Sequence, residues 1–130
     1  MEKNGVVSLW LGNIETEEFL KNYVDLRYTD NGDWEASQFL NDFNIDMDDI
    51  EEDFIEKVLY TEANDDVDKL LSGCSYEDIV IPNIKKIIIN KLEDKFNAVI
   101  LVYNFEYNGE ESFINNEVYK MKYIGSVQYT

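Results

Sequence analysis

Histidine is absent from all 130 residues, which removes the commonest general base and metal ligand at neutral pH. Only carboxylates, Lys, Tyr and Ser remain for general acid–base work. The one cysteine, Cys74, has no partner within the chain, so nothing calls for an oxidising compartment. One proline and six glycines form no Pro/Gly/Ser-rich linker, and the length is near the mode for one domain, so residues 1–130 are expected to fold as a single unit. The start, MEKNGVVSLWLGN, has a short apolar run and no small-residue cleavage site. It fits neither a signal peptide nor a membrane-spanning helix, and a cytoplasmic protein is expected. No GxSxG, P-loop, GxGxxG or CxxC pattern occurs. Nucleophilic, nucleotide and zinc chemistry therefore lack a handle, and a protein that is not an enzyme and carries no cofactor is expected.

Positive charge is also scarce, and unevenly so. Residues 1–82 hold 22 of the 28 Asp/Glu but only 5 of the 11 Lys/Arg, and the remaining 6 and 6 balance, so the whole formal charge of −17 belongs to the first 82 residues. Such concentration repels itself within the fold and attracts an electropositive partner. It argues against direct binding to nucleic acid or to an anionic membrane, both polyanions held through Lys and Arg. Acidity also serves solubility alone. At 45% hydrophobic and 14% aromatic, however, the chain is far too apolar for a disordered acidic tail.

Gly5 to Leu11 reads as a strand buried on both faces, ended by Gly12-Asn13. Thr16 is placed to cap a helix over about residues 16–25, with Glu17 and Glu18 in its first turn and Phe19, Leu20, Tyr23 and Val24 along one stripe. A turn is expected at Asp30-Asn31-Gly32-Asp33. Ser37 then caps a short helix carrying Phe39, Leu40 and Phe43, closed by Asn44. Another helix is predicted over 65–72 with Gly73 as its stop, and a basic one over 82–95, with Pro82 in its first turn and Lys85, Lys86, Lys91 and Lys95 off the apolar stripe. Ala98 to Tyr107 reads as a strand, Asn108-Gly109 as a hairpin turn, Glu111 to Ile114 as the strand returning along the first, and Val118 to Tyr129 as a further strand. The expected architecture is α+β: one domain, an antiparallel sheet of about four strands, and helices packed on one face.

The densest acidic stretch, Asp46 to Glu56, is set around Ile50, Phe54 and Ile55, which should anchor it while the carboxylates face solvent. An EF-hand reading fails: the fifth position would be Ile50, the sixth Glu51 instead of glycine, and the twelfth Lys57 instead of a bidentate glutamate. No metal is expected. The stretch is instead the candidate partner surface, comprising Asp46, Asp48, Asp49, Glu51, Glu52, Asp53 and Glu56. Trp34, beside the DNG turn, is either an edge of the core or an exposed aromatic anchor of the kind that centres binding hot spots. Trp10, inside the apolar strand, reads as core.

Three segments, VVSLWLGNIETEEFLKNYV at 6–24, SQFLNDFNI at 37–45 and EEDFIEKVL at 51–59, together resemble the immunity protein 22 family of bacteria. The matching positions are Trp10, Gly12, Ser37, Phe39, Asp42, Phe43, Asp53, Phe54 and Glu56. The resemblance implies an antidote that binds the toxic C-terminal domain of a cognate polymorphic or contact-dependent toxin, and it brings no catalytic residues. A basic toxin domain acting on nucleic acid would suit the charge, and a monomer is expected when free. Two other classes stay open: an acidic nucleic-acid mimic or general module occupying basic surfaces, and a carboxylate-based hydrolase, which no sequence feature favours.

Overall fold

The apolar run of the N-terminal strand becomes the centre of the molecule. In the computed structural model, which describes residues 1–28, 32–88 and 92–130, β1 (Glu2–Asn13) is buried from Val6 to Gly12. The chain continues through α1 (Glu17–Val24), the two-residue strands β2 (Arg27–Tyr28) and β3 (Trp34–Glu35), α2 (Gln38–Asp42) and two single 3-10 turns at Met47–Asp49 and Glu52–Phe54. Then follow β4 (Ile55–Asn64), α3 (Val67–Leu71), α4 (Glu77–Ile87), β5 (Phe96–Phe105), β6 (Phe113–Asn115) and β7 (Lys120–Gln128). Five strands make one sheet in the order β4-β5-β1-β7-β6, every neighbouring pair antiparallel. β2 and β3 pair separately. The fold is α+β, as expected, with five strands where about four were anticipated.

The additional strand is β4. Its residues alternate only loosely, half-buried from Ile55 to Lys57 and exposed from Thr61 to Ala63, with the charged Glu56, Lys57 and Glu62 along it, so an edge position hides its periodicity. The helices also lie on both faces of the sheet rather than on one. Trp10 pairs in register with Ile100 and faces α1 and α2, whereas Leu9 pairs with Leu101 and faces α3 and α4. Successive residues of β1 and β5 are apolar, so each face of these central strands needs its own cover. Close strand approach explains Gly12: a Cβ there would lie 2.2 Å from the Lys120 carbonyl oxygen.

The helix starts follow from their caps. The Thr16 hydroxyl accepts from the Phe19 N–H at 3.1 Å and the Ser37 hydroxyl from the Leu40 N–H at 3.3 Å; the Asp66 carboxylate accepts from the Asp68 N–H at 2.9 Å. Each satisfies one of the orphan donors of a helix start. Asn44 (φ 54°) and Gly73 (φ 87°) take up the left-handed conformation after α2 and α3.

Three expectations change. Helix α4 spans Glu77–Ile87, not 82–95, and Pro82 sits in its interior. Pro82 and Asp78 are both exposed, so the carbonyl deprived of its amide partner lies where water reaches it. Lys85 and Lys86 occupy the last turn of α4, where the helix dipole favours them, and Lys85 pairs with Asp68 at 2.8 Å. Lys95 lies beyond this helix, and Lys91 outside the described residues, as do Asp30 and Asn31 of the Asp30-Asn31-Gly32-Asp33 turn. Finally, no tight hairpin joins β5 to β6. Both edges of β5 are occupied, by β1 and β4, so the strand after Asn108-Gly109 pairs with β7 instead. Tyr107 meanwhile folds over the core, its backbone N–H donating to the Ser8 hydroxyl at 3.0 Å and its own hydroxyl to the Glu111 carbonyl at 2.9 Å.

Candidate functional site

Two surface regions on the α1/α2 side carry distinctive chemistry, and they lie at opposite ends of the sheet. The acidic stretch packs near the end of β5, where Phe105 is opposite Glu2. A groove opens at the start of β7, where Lys120 is opposite Asn13.

Ile45 and Ile50 enter the core and pin the acidic stretch, while Asp46, Asp48, Glu51, Glu52 and Asp53 are exposed and Asp49 is half-buried. Asp46 caps the first 3-10 turn, its carboxylate accepting from the Asp48 N–H at 2.9 Å. Among the described residues no three Asp, Glu or Cys side chains converge to hold a metal ion. The carboxylates are wound around a tight loop and splay outward, so the stretch presents charge without a cage. Trp34 is 54% exposed in the small β2–β3 ladder. It belongs to a separate element from the 46–53 loop.

Glu56 departs from the others. It is half-buried in β4 opposite Leu101, a residue of the α3/α4 core, and its carboxylate accepts from the Ser75 N–H at 2.9 Å and the Ser75 hydroxyl at 2.7 Å. It ties β4 to the connection between α3 and α4. Beside it the Tyr103 hydroxyl donates to the Ser75 carbonyl at 2.6 Å, and burial pushes the Cys74 thiol up to about 11. A thiol so held is scarcely ionised at neutral pH and is a poor nucleophile.

The groove was not foreseen from the sequence. It measures about 650 Å³ and is lined by Phe19, Asn22 and Tyr23 of α1, Gln38 of α2 and residues 116–119 of the β6–β7 turn. Asp42 ties these pieces together: its carboxylate accepts from the Tyr23 hydroxyl at 2.8 Å, the Tyr119 hydroxyl at 2.5 Å and the Gln38 amide at 2.8 Å. Burial, then the bond to Asp42, holds the Tyr23 phenol far above its usual range and raises Tyr119 to about 12. Both phenols are therefore donors to the Asp42 carboxylate. The rings of Tyr23 and Tyr119 lie 4.8 Å apart, with Phe19 at 6.4 and 5.6 Å from them. Val118, at the mouth, is 63% exposed. Phe19 and Tyr23 are four residues apart, a spacing that reads as core stripe; the half that makes a groove of it arrives nearly a hundred residues later.

The motif positions that suggested a family prove mostly architectural. Phe39 and Phe43 pack edge-on against Trp10 at 4.9 and 5.7 Å, Gly12 admits β7, Ser37 caps α2, and Asp42 and Glu56 join elements distant in sequence. Among the described residues no helix is long and apolar enough to cross a membrane. No curated protein and no solved structure matches the chain. One family model does, over residues 7–130, nearly the whole sequence, and this chain belongs to the family it describes, immunity protein 22.

Proposed function

We propose that this protein is a cytoplasmic, non-enzymatic antidote that binds and neutralises the toxic C-terminal domain of a cognate bacterial toxin. The partner is basic and acts on nucleic acid; the antidote is a monomer until it binds. The observation that carries this reading, beside the family itself, is the solvent-facing run of carboxylates from Asp46 to Asp53 in a chain of formal charge −17. A domain that handles nucleic acid needs positive charge around its active site, so an acidic surface both steers association and competes with the polyanionic substrate. Asp46, Asp48, Asp49, Glu51, Glu52 and Asp53 supply the field, with Trp34 as aromatic anchor. Glu56 contributes mainly by holding β4 in place.

The test is binding to the toxin domain encoded beside this gene, followed by stopped-flow association. Replacing Asp46, Asp48, Asp49 and Glu52 with Asn or Gln is expected to slow association several-fold and to flatten its dependence on salt, because peripheral charges act mainly on the on-rate. Unchanged kinetics would move the electrostatic surface elsewhere, first to Glu62, Asp65, Asp66 and Asp68. Capture of many unrelated basic proteins, each released by moderate salt, would favour a nucleic-acid mimic instead.

A further inference from the structure

We infer that the groove between α1 and the β6–β7 turn receives an arginine side chain of the protein partner, its guanidinium lying against the partly exposed rings of Phe19 and Tyr119, with the buried Tyr23 behind them. The inference rests on the reading of this chain as a toxin-binding antidote and gives that partner a specific contact. Two partly exposed rings, Phe19 and Tyr119, face one space over the buried Tyr23, and a planar, weakly hydrated cation gains from aromatic faces what a strongly hydrated ammonium gains less well. The phenol hydroxyls of Tyr23 and Tyr119 are already spent as donors on Asp42, so what the partly exposed Tyr119 offers a guest is acceptor oxygen. The Gln38 amide nitrogen is likewise engaged with Asp42, which leaves its carbonyl oxygen as an acceptor. An aliphatic guest would strip water from these acceptors and return nothing, whereas a guanidinium brings five N–H donors.

Charge points the same way. Asp42 lies behind the phenols and Glu117 lines the groove, and among the described residues no lysine or arginine does. Lys95 and Lys120 belong to the neighbouring recess of about 320 Å³, where Asp94 and Glu117 accompany them. An anionic guest would therefore meet carboxylates and a cationic one would not be repelled. Val118 stands exposed at the mouth, placed to cover the aliphatic stem of the entering side chain.

The probe is the capped tripeptide acetyl-Gly-Arg-Gly-amide, with its citrulline counterpart, equal in shape but uncharged, as control. Titrated into the free protein and followed by NMR, the arginine peptide is expected to shift the ring resonances of Tyr23 and Tyr119 and the methyls of Val118. The citrulline peptide should do so several-fold more weakly. Val118→Lys, a change at an exposed position that leaves the core untouched, should abolish the arginine response by placing a resident cation at the mouth. With the neighbouring toxin domain, Val118→Lys should weaken binding by roughly tenfold or more, chiefly through the off-rate. No perturbation by the arginine peptide, equal perturbation by both peptides, or toxin binding unaffected by Val118→Lys would each overturn the inference. If the wild-type protein fails to bind the toxin domain yet the arginine peptide alone shifts the groove, the antidote reading fails and the cation site stands.

Discussion

The two faces of the sheet bury the same central strands in different materials. Around Trp10 the cover is aromatic, with Phe39, Phe43, Tyr107 and Tyr123 all within 5.7 Å between ring centroids. Around Leu9 it is largely aliphatic, built from Leu70, Leu71, Val80 and Ile84, with Tyr103 and Tyr129 at one margin. Aliphatic chains close a surface and end there. Rings bring hydroxyls that need partners, and at the margin of the aromatic face those partners converge on Asp42. The aromatic side thus ends in a groove organised by Asp42, whereas the aliphatic side ends at the connection between α3 and α4, where Glu56 and Tyr103 meet Ser75.

The deepest cuts test whether the faces are independent. Trp10→Ala is expected to cost about 3–5 kcal/mol and Ile84→Ala about 2–5 kcal/mol, since both residues are fully buried. Because the sheet separates them, the double mutant should lose the sum to within about 0.5 kcal/mol. Urea titrations of the two singles and the double measure this, and strong coupling would mean that the sheet transmits strain from one face to the other.

A smaller cut separates two kinds of acid on the aromatic side. Asp42→Ala leaves the Tyr23 hydroxyl without its acceptor and should cost about 1–3 kcal/mol. Urea midpoints would show it, and a negligible loss would mean that water replaces the carboxylate and that the groove is softer than its geometry implies.

The phenols set a pH window. For Tyr23 and Tyr119 on one face and Tyr103 on the other, the folded-state pKa is raised, chiefly by burial. The folded protein therefore keeps protons that the unfolded chain releases near its ordinary value of about 10. Their contribution to stability is complete below that value and is lost as pH rises, through about 12 for Tyr119 and beyond it for the other two. Melting temperatures measured from pH 8 to 12 should fall progressively above pH 10. Tyr119→Phe should blunt the early part of that fall, and an identical profile in the variant would assign it to other groups.

Least is expected of the exposed acids. Glu52→Gln should change stability by no more than about 0.5 kcal/mol, and its sign is informative: removing one charge from a chain at −17 relieves repulsion. Added salt should raise the melting temperature of the free protein for the same reason. A melting point indifferent to salt would show that the carboxylates are too dispersed to repel.

Much of the first half was legible because its signals are local. The caps at Thr16 and Ser37, the left-handed Asn44, the stop at Gly73 and the doubly apolar β1 each depend on residues within a turn or two of each other. Glu56 shows where such reading stops: in sequence it is one more member of an acidic run, and only the pairing of β4 with β5 turns it towards Ser75. The strand β4 itself was missed because an edge strand half in water need not alternate. Pro82 misled because its preference for a first turn is only a preference, outweighed by Ile84 and Val80 facing the core.

By itself the sequence determined what depends on composition and near neighbours: an acidic, folded single domain without histidine, its charge in the first 82 residues, its helix starts, and a family pattern in order and spacing. The tertiary structure alone decided that helices cover both faces, that β6 pairs with β7, and that Phe19, Tyr23, Asp42 and Tyr119 meet around one groove. Those outcomes depend on which strand edges are already occupied and on contacts between segments nearly a hundred residues apart, and no periodicity within a segment encodes them.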